Sequence, residues 1–236
     1  MFDHLDIAVA DGEASRAFYV RALGEPTADQ EWVEWGDFGI RLADAEHQLT
    51  GRLHVAFGAA TRDDVDAWWH RMVAVGYTND GEPGPRPEYS STYYGGFILD
   101  PDGNSVEAVH HGTARPGTID HVWFRSRDVA AQKRFYETIA RAVGIRFKNE
   151  DLDRLQLTDG EGSFTFVPGD VPTENVHLAF KAPDRATVDA FHRVALAAGY
   201  RDNGAPGERP QYHPGYYGAF VLDPDGHNVE AVFHDR

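Results

Sequence analysis

Two histidines and a glutamate recur together in this sequence, as His4, His54 and Glu107 and again as His121, His177 and Glu230. The histidines are 50 residues apart in the first set and 56 in the second, and the glutamate follows 53 residues later in both. Two imidazoles and a carboxylate are the minimum facial set for a divalent metal with open positions, suited to Fe(II), Mn, Zn or Ni. A single histidine on a strand is more often a hydrogen-bonded structural residue, and a single glutamate is more often solvated. Six positions in two matching sets are harder to assign to structure alone, although a duplication by itself would preserve them. The chain has no cysteine, which removes disulfides, thiolate–metal sites and a cysteine nucleophile. Histidine and carboxylate remain as the ligand types.

The two sets belong to an internal repeat. Asp100-Pro101-Asp102-Gly103 recurs as Asp223-Pro224-Asp225-Gly226, and Val106-Glu107-Ala108-Val109 as Val229-Glu230-Ala231-Val232, both at a shift of 123 residues. Near the start the shift is 117, pairing His4 with His121 and Phe18-Tyr19 with Phe135-Tyr136. The difference of six fits a loop insertion in the middle of the second half. The 236 residues therefore read as two tandem domains, 1–112 and 117–236, joined by a short junction at 112–117.

Each half must position its set on strands. Residues 5–9 alternate apolar with small or polar side chains, as a half-buried strand does. A helix over about 13–23 is stopped by Gly24, with strands expected around 31–35, 39–43 and 53–57. Thr61 caps a second helix whose Val65, Trp68, Trp69, Met72 and Val73 share one face. Strands at 94–99 and 105–110 close the half. In the second half, 184–199 repeats the helix, with Val188, Phe191, Ala195 and Leu196 on its buried face. His54 and Glu107 alternate with apolar neighbours, so the polar members can face one side and the apolar ones the helices.

These residues resemble a known family. The Asp-His-Leu at residues 3–5, the Asp-His-Val at 120–122, the Val-His-Leu-Ala-Phe at 176–180, and the run from Tyr216 through Asp223-Pro224-Asp225-Gly226 to Val232 are similar to the glyoxalase/bleomycin-resistance/extradiol-dioxygenase (vicinal oxygen chelate) superfamily, over nearly the whole chain. The resemblance implies an α+β fold, with two βαβββ modules per half forming a cup-shaped mixed sheet. It also implies that His4, His54, Glu107, His121, His177 and Glu230 stand at metal-ligand positions and that the cofactor is a divalent ion. Extradiol dioxygenases of this type carry a Tyr three residues before the Asp-Pro turn, where this chain has Phe97 and Phe220. Glyoxalase I adds a second carboxylate from the end of the first module, where Glu46 reads as a turn residue. The resemblance thus leaves lyase, isomerase and ring-cleaving oxygenase chemistry open.

Other side chains are candidates for the surroundings of the two cups. Asp6, Ala8, Ala56 and Gly58 are expected to leave the first small-lined and open, and Trp123, Arg125 and Lys181 to make the second fuller and more positive. A long irregular segment at 81–92, repeated at 204–215, carries Arg86, Tyr89 and Tyr93, matched by Arg209, Tyr212 and Tyr216. Arg86, Tyr93, Arg209, Tyr216, Arg125 and Lys181 are candidates for binding substrate, although the arginines and tyrosines serve equally well to pin the loop. His213, where the first half has Ser90, is a candidate general acid/base, with Tyr212 and Tyr89 beside it. His111 and His234 follow the glutamates by four residues and read as rim or surface groups. The Asp-Pro-Asp-Gly segments read as turns that set the register of the glutamates.

Lys and Arg number 22 against 38 Asp and Glu, for a formal charge of −16. That balance argues against nucleic acid and anionic membrane, both polyanions. The first residues lack the pattern of a signal peptide and no apolar run reaches the roughly 20 residues of a membrane span, so a cytoplasmic protein with a small-molecule partner is expected. The acidic balance and the aromatics (14 Phe, 10 Tyr, 5 Trp) keep a second reading open, a non-catalytic protein of bleomycin-resistance type that sequesters a cationic ligand. A tandem chain can pair its domains internally, which suits a monomer; a homodimer is the other assembly open to it.

Overall fold

The computed structural model describes residues 2–112, 115–151, 153–158 and 162–235. Thr113 and Ala114, in the expected junction, lie outside them. The chain opens with β1 (Phe2–Val9), α1 (Gly12–Leu23), β2 (Ala28–Asp29), β3 (Val33–Trp35) and β4 (Phe38–Leu42). Next come β5 (His54–Gly58), α2 (Arg62–Val73), β6 (Asn79–Pro85), β7 (Tyr94–Leu99) and β8 (Ser105–His110). The second half repeats the order with β9 (Ile119–Ser126), α3 (Val129–Val143), β10 (Arg146–Asp151), β11 (Arg154–Thr158) and β12 (Ser163–Pro168). It ends with β13 (Val176–Lys181), α4 (Arg185–Ala197), β14 (Arg201–Glu208), β15 (Tyr216–Leu222) and β16 (Asn228–His234). This is the expected α+β repeat of βαβββ modules. Part of the extra length of the second half lies in α3, at 15 residues against 12 for α1, rather than in a loop. No helix among the described residues is long and apolar enough to cross a membrane.

The chain divides into two compact units, unit 1 of Met1–Asp6 with Phe124–Arg236 and unit 2 of Ile7–Trp123. Both cuts fall within strands, β1 and β9. In unit 2 the strand order is β6-β7-β8-β5-β9, with β5 parallel to β8 and antiparallel to β9. In unit 1 it is β14-β15-β16-β13-β1, with β13 parallel to β16. The first strand of each half thus lies beside the fifth strand of the other half's sequence, where pairing within a half was expected. Hydrophobic periodicity assigns a side chain to a face but not a strand to its neighbour.

Apolar faces close each unit. In unit 2, Phe18, Tyr19, Val65 and Met72 of the helices and Val55, Ile98 and Val106 of the strands are all fully buried, with Tyr19 against Trp35 and Phe38 and α2 against β7 and β8, each large side chain contributing ~1.5–3 kcal/mol. Trp68 Nε1 donates to the Ala22 carbonyl at 3.1 Å and ties α2 to α1. In unit 1, Val188, Phe191 and Ala195 are buried as expected, but Leu196 is 38% exposed and His192 takes the inward place, with its Nε2 2.9 Å from Asp202.

The segments at 81–92 and 204–215 are less irregular than their composition suggests. Gly81 to Pro85 lie in β6, and Gly204 to Glu208 in β14. Both are edge strands with register shifts at their glycines, where Pro83 and Pro85 break no ladder on the open side. In the Asp-Pro-Asp-Gly turns, Asp100 Oδ1 accepts from the amides of Asp102 and Asn104, and Asp223 Oδ1 from those of Asp225 and His227. Gly103 and Gly226 take the left-handed φ of 84° and 90° that closes each turn.

Candidate metal centres

Register alone brings three ligand types together in unit 2. Ala56 of β5 stands opposite Glu107 of β8 on one side and His121 of β9 on the other, while His54 stands opposite Ser105 and Trp123. Residues 54 and 56 share a strand face, so His54, Glu107 and His121 project from that face above the small Ala56. His54 Nε2 lies 3.1 Å and His121 Nε2 3.4 Å from Glu107 Oε2, and the two ring nitrogens are 3.4 Å apart.

The hydrogen bonds around these atoms fix their protons. His121 Nδ1 faces Asp120 Oδ1 at 2.8 Å, and a carboxylate can only accept, so the ring proton is on Nδ1. Ser105 Oγ donates to Asp80 at 2.7 Å and so accepts from His54 Nδ1 at 3.1 Å. When both rings are neutral, as ligation requires, their Nε2 atoms carry the lone pairs. Tyr93 donates its hydroxyl to Glu107 Oε1 at 2.8 Å, while Glu107 Oε2, fully buried, has no hydrogen-bond donor. Three acceptors therefore meet at one point, an arrangement that requires a cation, whether a proton on a ring or a metal ion. The donor set fits a divalent ion.

Unit 1 repeats the arrangement with other partners. His4 Nε2 is 3.0 Å from His177 Nε2, His177 Nε2 is 3.1 Å from Glu230 Oε2, and Tyr216 donates to Glu230 Oε1 at 2.8 Å. Asp3 receives His4 Nδ1 at 2.9 Å, as Asp120 receives His121. Two differences stand out. Asn228, in place of Ser105, sets its amide nitrogen 2.8 Å from His177 Nδ1, which leaves the ring proton on Nε2 to meet Glu230. Asp6 brings a second carboxylate, 3.6 Å from His4 Nε2. The ligand atoms of His4, Asp6 and His177 all lie within 4.8 Å of one another, as do those of His54, Glu107 and His121.

Burial opposes charge at both centres, and close partners overcome it. Burial would lower the pKa of His4, but Asp6, Asp3 and Glu230 hold it at about 9. His121 is likewise at about 9, with burial outweighed by Asp120 and Glu107. Burial would raise Glu107, yet His121 and His54 hold it below its ordinary value. Asp3 sits at about 2, burial being offset by His4 and His234. Burial and the adjacent glutamate push Tyr93 and Tyr216 well up, so both phenols stay protonated and act as donors.

The six expected ligands thus come together, but in crossed sets: His4 with His177 and Glu230, and His121 with His54 and Glu107. Their surroundings cross as well. Trp123 does not line the centre of His177 and Glu230; it stands edge-on to His54 at 6.5 Å and beside Tyr89 at 5.8 Å. Asp6 leaves the centre of His54 for that of His4. Lys181 ends β13 and lines a groove with Thr138 and Arg141 of α3 and Thr187 of α4. Arg125 exchanges backbone-directed hydrogen bonds with Thr173 and lays its stem against Gly169.

Arg86 donates to the Glu82 and Pro85 carbonyls and lies over Phe97 at 5.4 Å. Arg209 does the same with Ala205, Glu208 and Phe220. Tyr89 and Tyr212 pack against Tyr93 and Tyr216 at 5.0 and 4.8 Å and stay exposed. His213 Nε2 is 2.9 Å from His234 Nδ1, and His234 Nε2 reaches Asp3 at 3.0 Å. His111 reaches Asp120 at 2.7 Å. His111 and His234 therefore hold the carboxylates that orient the ligand histidines. Asp3 and Asp120 were not singled out from the sequence, although the repeated Asp-His pair marks both.

The Glyoxalase/Bleomycin resistance protein/Dioxygenase superfamily model matches residues 1–108 and 118–231, and the chain belongs to that superfamily. Among solved structures it is similar to glyoxalase I from Zea mays, at 19% identity and a TM-score of 0.69, over 99% of this chain and 92% of that one. A point mutant of the same maize enzyme gives 20% identity and a TM-score of 0.71, over 99% and 93%. A putative dioxygenase from Bacillus subtilis is similar at 12% identity and a TM-score of 0.67, over 100% of this chain and 85% of that one. At these identities the likeness is one of fold. No curated protein matches the chain.

Proposed function

We propose that this chain is a divalent-metal-dependent enzyme that binds a small oxygenated substrate at one or both of its His/His/Glu centres, in lyase, isomerase or ring-cleaving oxygenase chemistry. The observation that carries the reading is the convergence of His54 Nε2, His121 Nε2 and the buried Glu107 Oε2 within 3.4 Å of one another, a set that needs a cation at its centre. His54, His121 and Glu107 would hold one ion, and His4, His177 and Glu230 the other. When bound, such an ion supplies a Lewis acid with open positions for vicinal substrate oxygens.

The protein's own groups prepare the site. Tyr93 and Tyr216 occupy one oxygen of each glutamate and leave the other toward the histidines. Asp120 and Asp3 orient the rings and keep their Nδ1 atoms protonated. Tyr89, Trp123 and Tyr93 offer an aromatic border to a substrate in unit 2. His213, joined through His234 to Asp3, is the group that would exchange a proton at the rim of unit 1, with Tyr212 beside it; Arg86 and Arg209 would steady the flanking segment. Elemental analysis of chain purified without a chelator or a histidine tag tests the reading. One to two divalent ions per chain, lost in a His54→Ala/His177→Ala double variant, are expected. Retention of none, with none taken up on addition of Mn²⁺, Fe²⁺, Zn²⁺ or Ni²⁺, would overturn it.

A further inference from the structure

The repeat places His121 at the position of His4 and, two residues on, Trp123 at the position of Asp6. Both are on the first strand of a half, and two residues along a strand return to the same face, so residues 6 and 123 each border the ligand histidine of their own centre. Asp6 Oδ2 approaches His4 Nε2 at 3.6 Å and falls within the ligand cluster with His177. Trp123 offers no ligand atom; it stands against His54 and Tyr89.

We infer that the two centres are unequal cation sites, with Asp6 making the centre of His4, His177 and Glu230 the tighter one. This rests on the reading of both as metal centres. Most surrounding charge is matched between them. Glu230 answers Glu107 in position, though His177 turns its Nε2 proton to Glu230 while Glu107 Oε2 has no donor; Asp3 answers Asp120, and His234 answers His111, in equivalent contacts. Asp6 is the unmatched carboxylate among the possible donors, whereas Asp80, which is answered by the neutral Asn203, stands one residue further back, behind Ser105. With it the donors carry a formal charge of −2 rather than −1, and cation affinity of an oxygen- and nitrogen-donor site rises with that charge. Asp6 would also offer an ion a second carboxylate donor where Trp123 in unit 2 offers none. The centre of His54, Glu107 and His121 is then the more weakly held, with an open position against an aromatic wall, the arrangement that favours entry of a substrate with a flat apolar portion.

The test is calorimetric titration of the full-length, chelator-stripped chain with Mn²⁺. Two events separated by at least about tenfold in Kd are expected. His177→Ala should abolish the tighter and His54→Ala the weaker. Asp6→Asn, nearly isosteric, should weaken the tighter event by about tenfold or more and leave the other in place, with circular dichroism verifying that the fold is kept. Trp123→Asp should strengthen the weaker event, the converse change. Two events of equal Kd, or an Asp6→Asn titration indistinguishable from the parent, would overturn the inference while leaving both centres as metal sites. Loss of the tighter event in His54→Ala in place of His177→Ala would reverse the assignment and overturn it too. No binding in the parent chain would overturn the functional reading and this inference together.

Discussion

Tyr93 holds Glu107: its hydroxyl donates to Oε1 at 2.8 Å, fourteen residues away along the hairpin of β7 and β8. Because the phenol remains protonated, its proton stays turned to Oε1 and leaves Oε2 to the histidines. Tyr93→Phe removes a hydrogen bond to a charged group in a partly buried setting, worth about 1.5–3 kcal/mol. Urea denaturation should read a loss of that size. Mn²⁺ affinity at that centre should fall by about 10–100-fold, whereas a variant with unchanged affinity would show that Glu107 needs no such restraint.

The histidine pKa values set a pH dependence in chelator-stripped protein. An unfolded His titrates at about 6.5, and His4 and His121 at about 9 when folded. Folding thus favours their protonated forms; their contribution is complete below about pH 6.5 and is lost as pH rises through about 9. Thermal denaturation between pH 6 and 10 should show the metal-free Tm falling over that window. A ligated imidazole must give up the proton, so Mn²⁺ should raise the Tm more at pH 9 than at pH 6.5. Asp3, at about 2, acts in the other direction, and its contribution disappears on acidification from about pH 4 through 2.

Gly95 and Gly218 make room for the glutamates. A Cβ at Gly95 would run into Glu107 Oε1, and one at Gly218 into Glu230 Oε1. Gly95→Ala should therefore displace Glu107 and abolish cation binding at that centre, with about 1–3 kcal/mol of destabilisation from overpacking. Gly112→Ala meets nothing within 4 Å and should stay within about 0.5 kcal/mol of the parent. Equal cation binding in Gly95→Ala and Gly112→Ala would disprove the steric argument.

Tyr19 couples α1 to the turn that precedes β8. Its hydroxyl donates to Asp100 Oδ2 at 3.0 Å, with both residues buried. Tyr19→Phe should cost about 1–3 kcal/mol, read as a shift in urea midpoint without a change in m-value. Since the turn sets the register of Glu107, Mn²⁺ affinity in unit 2 should fall with it.

Much of this was legible in residue order. The duplication appears in the shared Asp-Pro-Asp-Gly and Val-Glu-Ala-Val runs, and the strands bearing His54 and Glu107 follow from alternation. The crossed pairing of His4 with His177, and of His121 with His54, was not legible. Alternation specifies the face on which a histidine stands, whereas the choice between two equivalent fifth strands depends on how the chain passes between modules. Edge strands β6 and β14 were hidden for another reason. Their Gly and Pro residues read as breakers, and only a place at the sheet's rim makes them tolerable. Asp3 and Asp120 were visible as types, but their value comes from the angle at which the carboxylate meets the following ring.

The division of the chain inside β1 and β9 has a consequence for the order in which the molecule is born. All protein ligands of the unit 2 centre have been synthesised once the ribosome has passed His121. His4, the first of all to emerge, must wait for Glu230 before its own centre is whole. At ordinary elongation rates that second completion comes roughly 5–20 s after the first. Until residues 176–181 have been made, about halfway through that interval, the earliest strand of the protein is without its permanent neighbour β13, and a cation meets one finished set of ligands before the other exists.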